Sequence, residues 1–234
     1  MLLQVKDLAV KVGEKLVVRS ASLTVNDGEV VYLLGPNASG KTTLIRAIMG
    51  FPNYRVIRGK LMYEGRDVTN VSLEQRVRLG LGMTYQIPPK IDGIKVRELL
   101  KELLRRRSAV SEYEEIISTL NIEYLIDRDL NRGFSGGEMK RVEVALLAAQ
   151  APRLALVDEP DSGVDVESIM YIAEGLKKLL NKGLTKSMVI VTHTAFITKY
   201  LKPSKVCIMK DGVVRGCGGA DLIDEIMKEG FKPW

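Results

Sequence analysis

Gly35-Pro36-Asn37-Ala38-Ser39-Gly40-Lys41-Thr42 is the stretch on which the fold turns. It fits the pattern G-x-x-x-x-G-K-[ST], and its flanks matter as much as its letters. The continuous apolar run Val30 to Leu34 precedes it, as expected of a strand buried on both faces, and the helical stretch Thr42 to Met49 follows. Strand, glycine-bearing loop and helix together make a cradle for phosphate. Glycines let the backbone curl until successive N–H groups aim at one anion, and the helix N-terminus adds positive partial charge. Gly35, Pro36, Asn37, Ala38, Ser39, Gly40, Lys41, Thr42 and Thr43 are therefore the candidate nucleotide-binding residues. Lys41 is placed to reach the β- and γ-phosphates of a nucleotide, and the Thr42 hydroxyl to coordinate Mg²⁺, a hard cation that prefers oxygen.

Downstream, Leu154-Ala155-Leu156-Val157-Asp158-Glu159-Pro160 sets two acids at the end of a second buried strand, the edge at which open α/β sheets bind ligands. Asp158 is placed to hold the magnesium shell and Glu159 to orient or deprotonate an attacking water. Apolar runs at Leu154 to Val157, Met188 to Val191 and Val206 to Met209 alternate with helical patterns near Glu138 to Ala149, Val166 to Leu180 and Asp221 to Lys228. Such alternation predicts a parallel α/β sheet. Upstream, Leu2 to Val31 has short Val/Leu-rich runs broken at Gly13-Glu14 and Asn26-Asp27-Gly28, which predicts an antiparallel β lobe. A further small β unit is expected at Lys60 to Tyr63 with a turn at Glu64-Gly65, and a short helix at Leu73 to Arg78. Val96, Leu99, Leu100, Leu103 and Leu104 carry a helical stripe, so residues 91–132 read as an inserted helical subdomain. One domain over 1–234 is expected, with 1–90 and 133–234 forming the nucleotide-binding core and its β lobe.

Composition narrows the classes. The chain has 234 residues, 46% of them hydrophobic, enough for one sizeable core. Its formal charge of +6, from 35 basic against 29 acidic residues, calls for an anionic partner, which nucleotide phosphate satisfies. No RRM, KH or helix-turn-helix signature accompanies the basic residues, so no nucleic acid is expected. Cys207 and Cys217 lack CxxC spacing and companion histidines, and are expected to be reduced, buried, small apolar residues of an intracellular protein. Met1 leads straight into Leu2-Leu3-Gln4-Val5-Lys6 without an export pattern, and no apolar run approaches the roughly 20 residues of a membrane span. A cytoplasmic protein that does not itself insert into a membrane is the expectation.

Phe134-Ser135-Gly136-Gly137-Glu138 opens a helical run, and Ser135 with Glu138 has the spacing of a capping box. The paired glycines also leave room for a phosphate at the helix N-terminus, so the turn reads as a cap or as a second anion site. With the phosphate loop before it and the strand-end acids after it, this segment resembles the signature of the ATP-binding cassette (ABC) family. That resemblance covers nearly the whole chain and implies a P-loop NTPase fold with ATP and Mg²⁺ as ligands. It also implies a head-to-tail homodimer in which Ser135, Gly136 and Gly137 of one copy cover the γ-phosphate held by the other. Gln86 looks like the family's loop glutamine that links metal and water to the helical subdomain, with a polar loop residue as the alternative. Asp165 resembles the loop aspartate at the dimer seam, or else is a helix N-cap. His193, the only histidine, resembles the switch histidine that contacts the γ-phosphate, and its place after the run Met188 to Val191 favours that over a structural role.

Within the family, Asp161-Ser162-Gly163-Val164-Asp165 and Gly133 to Arg141 are similar to the SUF-type, SufC-like ATPases that serve iron–sulfur cluster scaffolds; transporter cassettes usually have Thr at the Asp161 position. Gly50 to Gly59 and Tyr85-Gln86-Ile87-Pro88-Pro89 resemble the same branch. SufB- or SufD-like scaffold proteins are the partners this implies; a transporter permease is the alternative partner. A repair-type ATPase would need a long coiled-coil insertion, and no heptad run is present. Two departures stand out. Ala38 occupies a usual glycine position, so its backbone must tolerate a Cβ, and the loop near Val12 offers no aromatic for adenine, which implies aliphatic contacts and looser base selectivity.

Overall fold

The computed structural model describes residues 1–234. The first third is β1 (Leu3–Val12), β2 (Lys15–Val25), β3 (Val30–Leu34), α1 (Lys41–Met49), β4 (Tyr54–Tyr63), β5 (Arg66–Asp67) and α2 (Leu73–Arg78). β6 (Leu81–Met83), β7 (Ile91–Lys95), α3 (Val96–Arg106), α4 (Tyr113–Thr119) and β8 (Asp129–Leu130) follow. The remainder is α5 (Gly136–Gln150), β9 (Leu154–Asp158), α6 (Val166–Asn181), β10 (Ser187–Thr192), β11 (Lys205–Lys210), β12 (Val213–Gly218) and α7 (Asp221–Glu229).

A ten-stranded sheet runs in the order β5-β4-β1-β2-β12-β11-β3-β10-β9-β6. β3 lies between β10 and β11, parallel to both, and β9 and β6 extend the parallel region. Every residue of β3, β9 and β10 is buried, as their unbroken apolar runs require. Alternate side chains of β3 go to opposite faces: Val30, Tyr32 and Leu34 join the core under α5 and α6, while Val31 and Leu33 join the core around α1. At the other end β1, β2 and β4 pair antiparallel, the lobe expected from the N-terminal turns, although β4 is longer than the predicted Lys60 to Tyr63 unit. Lobe and parallel region meet at one ladder pair, Ser20 with Val213, reinforced where Arg19 N and Ser20 N both donate to Gly212 O.

Residues 91–132 depart from a purely helical reading. β7 and β8 pair at the two ends of the segment, Ile91 opposite Leu130 and Lys95 opposite Asp129. These strands are short, largely exposed and interrupted by Gly93 at φ 78°, so no two-residue apolar rhythm marks them in the sequence. Between them the stripe on α3 buries Val96, Leu100 and Leu104, with Leu99 and Leu103 partly covered by the same core.

The cysteine expectation is wrong. β11 and β12 form a hairpin through Asp211-Gly212, both at positive φ (51° and 74°), the conformation an Asp-Gly turn favours. The hairpin sets Cys207 opposite Cys217, and the two form a disulfide. Cys207 is buried and Cys217 exposed, so neither is a free core thiol. The pairing is a cross-strand consequence of the turn, to which a search for CxxC spacing is blind.

Arg76, on α2, was not a sequence-level candidate, yet it anchors the helix that leaves the phosphate loop. It is 2% exposed and donates to Ala47 O (2.9 Å) and Ile48 O (2.6 Å) at the C-terminus of α1, and to Val71 O (2.9 Å) and Thr69 O (3.0 Å). Burial pulls its pKa down to about 10, leaving it charged at neutral pH beside the negative helix end. Arg76→Met fills similar volume but strands these carbonyls, and is expected to lower unfolding free energy by about 3 kcal/mol in urea titration.

Candidate functional site

β3 ends at Leu34 and the chain turns at once into the phosphate loop. A Cβ on Gly35 would lie 2.0 Å from Met209 O on β11, so only glycine lets the loop pass that strand. The hairpin tip also holds the loop directly, Gly212 N donating to Ser39 O at 2.9 Å. Ala38 adopts φ 63°, which confirms the sequence-level demand that a Cβ be carried where glycine is easiest; such a conformation costs about 1 kcal/mol for an L-residue. Lys41 is 4% exposed, and its ammonium donates to Gly35 O (2.8 Å) and Pro36 O (2.9 Å). Burial pulls its pKa down, while the carboxylates of Glu159 and Asp158 push it up.

The acids at the end of β9 face this loop in two different settings. Asp158 is fully buried; its Oδ1 accepts from Thr42 Oγ1 at 3.0 Å, and its Oδ2 has no hydrogen-bond partner. Burial raises its pKa, against the hydrogen bond from Thr42 and the charge of Lys140. An unpartnered buried carboxylate oxygen beside a hydroxyl is the oxygen donor set that a hard divalent cation takes, so the residues present fit Mg²⁺. Glu159, with φ 47° and 4% exposure, is approached from two sides. Gln86 Nε2 donates to its Oε2 at 2.7 Å, and His193 Nδ1 lies 3.3 Å from its Oε1 without hydrogen-bond geometry. The amide of Gln86 is thus engaged with Glu159. One cleft is lined by the loop from Asn37 to Thr43, by Gln86, Glu159 and His193, and by Lys15 and Val17 of β2. The wall near the loop is aliphatic, as the absence of an aromatic near Val12 led us to expect.

Ser135, Gly136, Gly137 and Asp165 do not line that cleft. Ser135 caps α5: its Oγ accepts from Glu138 N (3.2 Å), and its own N–H donates to Glu138 Oε2 (2.7 Å). Asp165 caps α6, accepting from Ser168 N at 2.8 Å, and the hydrogen bonds from Ser168 lower its pKa. Both capping alternatives raised by the sequence are therefore real within the monomer. A Cβ on Gly137 would meet Ser168 Oγ at 2.4 Å and Asp165 Oδ2 at 2.8 Å, so this glycine has a packing reason besides any approach by phosphate.

The chain matches the family model described as ABC transporter over residues 18–162. The chain belongs to the ATP-binding cassette family. A probable ABC transporter ATP-binding protein of Streptococcus pyogenes serotype M3 is 33% identical to this ABC cassette over 98% of this chain and 93% of its own length. A probable ATP-dependent transporter, ycf16, of Cyanidium caldarium is 34% identical over 98% of this chain and 95% of its own. A nucleotide-free ATP-binding cassette from an ABC transporter superposes with a TM-score of 0.80 at 27% identity, covering 97% of this chain and 95% of that one. The cassette is an ATP hydrolase of ABC type with the mixed α/β fold of that family. It has no helix long and apolar enough to cross a membrane.

Three residues of the cassette's site escaped the sequence reading as site residues. Asp161, 3% exposed, accepts from Thr192 Oγ1 and Thr194 Oγ1 (2.7 Å each) and from Ile197 N (3.2 Å), and so brackets His193. Lys140 Nζ donates to Tyr85 O (3.0 Å) and Asp158 O (3.1 Å), and Glu143 Oε2 accepts from Tyr85 N (3.0 Å). The available signal was a basic and an acidic residue at i, i+3 on a helix otherwise buried on that side, an arrangement that demands buried partners.

Proposed function

We propose that this cassette binds Mg-ATP in the cleft between the phosphate loop and the end of β9 and hydrolyses it in a head-to-tail pair of copies. The observation that carries the reading is the position of Glu159, held by Gln86 and flanked by His193, across the cleft from Lys41 and the Thr42–Asp158 pair. In this reading Gly35 through Thr43 cradle the phosphates with backbone N–H groups, and Lys41 neutralises the β- and γ-oxygens. Thr42, Asp158 and Gln86 hold Mg²⁺, which when bound offsets negative charge on those oxygens. Glu159 orients the attacking water and takes its proton, and His193 contacts the γ-phosphate. Ser135, Gly136, Gly137 and Asp165 act on the nucleotide of the partner copy; their distance from the cleft of their own chain supports a role in trans. The chain works as one domain with residues 91–132 as its helical subdomain, in the cytoplasm and without nucleic acid.

The load is a SUF-type iron–sulfur cluster scaffold, SufB- or SufD-like. Asp161 supports this branch: it stands where transporter cassettes usually have Thr, and it is built into the segment that carries His193. The alternative, a membrane permease, is favoured by the descriptions of the relatives as transporter components. A pull-down from native extract separates them. Soluble scaffold proteins are expected with the tagged cassette, and an integral membrane permease in their place would overturn the SUF assignment.

A further inference from the structure

Gln86 lies in a segment without helix or strand, just beyond the last ladder contact of β6, Thr84 N to Leu156 O. The backbone that presents it has no strand partner. What holds it is α5: the Tyr85 N–H donates to Glu143 Oε2 at 3.0 Å, and the Tyr85 carbonyl accepts from Lys140 Nζ at 3.0 Å. Glu143 is 7% exposed, and burial raises its pKa against the Tyr85 N–H and the charge of Lys140. A carboxylate so deeply placed is retained at a cost, and its named partner in the structure is one backbone N–H, adjacent to the glutamine that grips Glu159.

We propose that Glu143 is a positioning residue for hydrolysis: by accepting from Tyr85 N it fixes the backbone that aims the Gln86 amide at Glu159. The proposal rests on the roles given above to Gln86 and Glu159. α5 starts at the Ser135-Gly136-Gly137 turn, so one rigid helix carries the segment assigned to the partner's nucleotide and the carboxylate that sets Gln86 in its own cleft. Engagement of the first is thereby felt at the second.

Glu143→Met and Glu143→Gln are equal in length and differ in that only the second can accept from Tyr85 N. In steady-state Mg-ATP hydrolysis by the full chain, Glu143→Met is expected to lower kcat roughly tenfold, the scale of a small misplacement of a catalytic group, with KM and ATP affinity changed less than about twofold. Glu143→Gln is expected to stay within about twofold of wild type in kcat. Wild-type kcat in Glu143→Met, equal impairment of both variants, or a loss shared between KM and kcat would each overturn the proposal. Gln86→Ala separates the two levels. If it turns over at the wild-type rate, the role of Gln86 fails and the proposal with it; if it is impaired while Glu143→Met is active, only the role of Glu143 fails.

Discussion

Glu159→Gln is expected to bind ATP as the wild type does and to lose turnover by about 10³-fold, within the usual range for removing a general base. The substitution is conservative in shape, and a glutamine oxygen can still accept the 2.7 Å hydrogen bond from Gln86 Nε2, so the cleft keeps its geometry. What goes is the negative charge that takes a proton from water. The phosphate contacts through Lys41 and Thr42 remain, so nucleotide stays bound and unhydrolysed, and the paired form that it bridges accumulates. Size-exclusion chromatography with light scattering in Mg-ATP reads that accumulation beside the loss of phosphate release. A variant that hydrolyses ATP at the wild-type rate would show that Glu159 is not the base.

Lys41→Ala acts earlier, on binding. The ammonium is almost wholly buried and held by Gly35 O and Pro36 O, so it is already aimed along the loop before any phosphate arrives. Truncation removes the one side-chain cation of the phosphate loop and leaves two carbonyls pointing into the space it filled. We expect ATP affinity to fall by about 100-fold, the usual scale for losing one partner of a buried, hydrogen-bonded charge contact. Isothermal titration with a non-hydrolysable analogue measures it, and unchanged affinity would remove Lys41 from the phosphate contacts.

The parts of this protein legible in its sequence are those whose chemistry is written in consecutive residues. The phosphate loop, the acids closing β9 and the cap at Ser135 each pair a short motif with the strand or helix beside it, and the structure sets them where those flanks imply. The wholly apolar strands announced their burial, because a strand covered on both faces has no polar register to hide. Other features depend on which strands become neighbours. β3 is seated between β10 and β11, far away in the chain, and no local rhythm specifies that order. The same limit concealed the Cys207–Cys217 bridge and the grip of α5 on Tyr85, where each partner looks ordinary until the fold supplies the other. Asp161 stood out only as an unusual letter; its three hydrogen bonds around His193 require β9 and β10 side by side.

The narrow join between β2 and β12 has a mechanical meaning. One ladder pair and two amides sharing a carbonyl at the hairpin tip give little torsional stiffness, while β1 braces β2 along most of its length on the other side. Lys15 and Val17 belong to β2, so the wall they present to the phosphate loop is braced by β1.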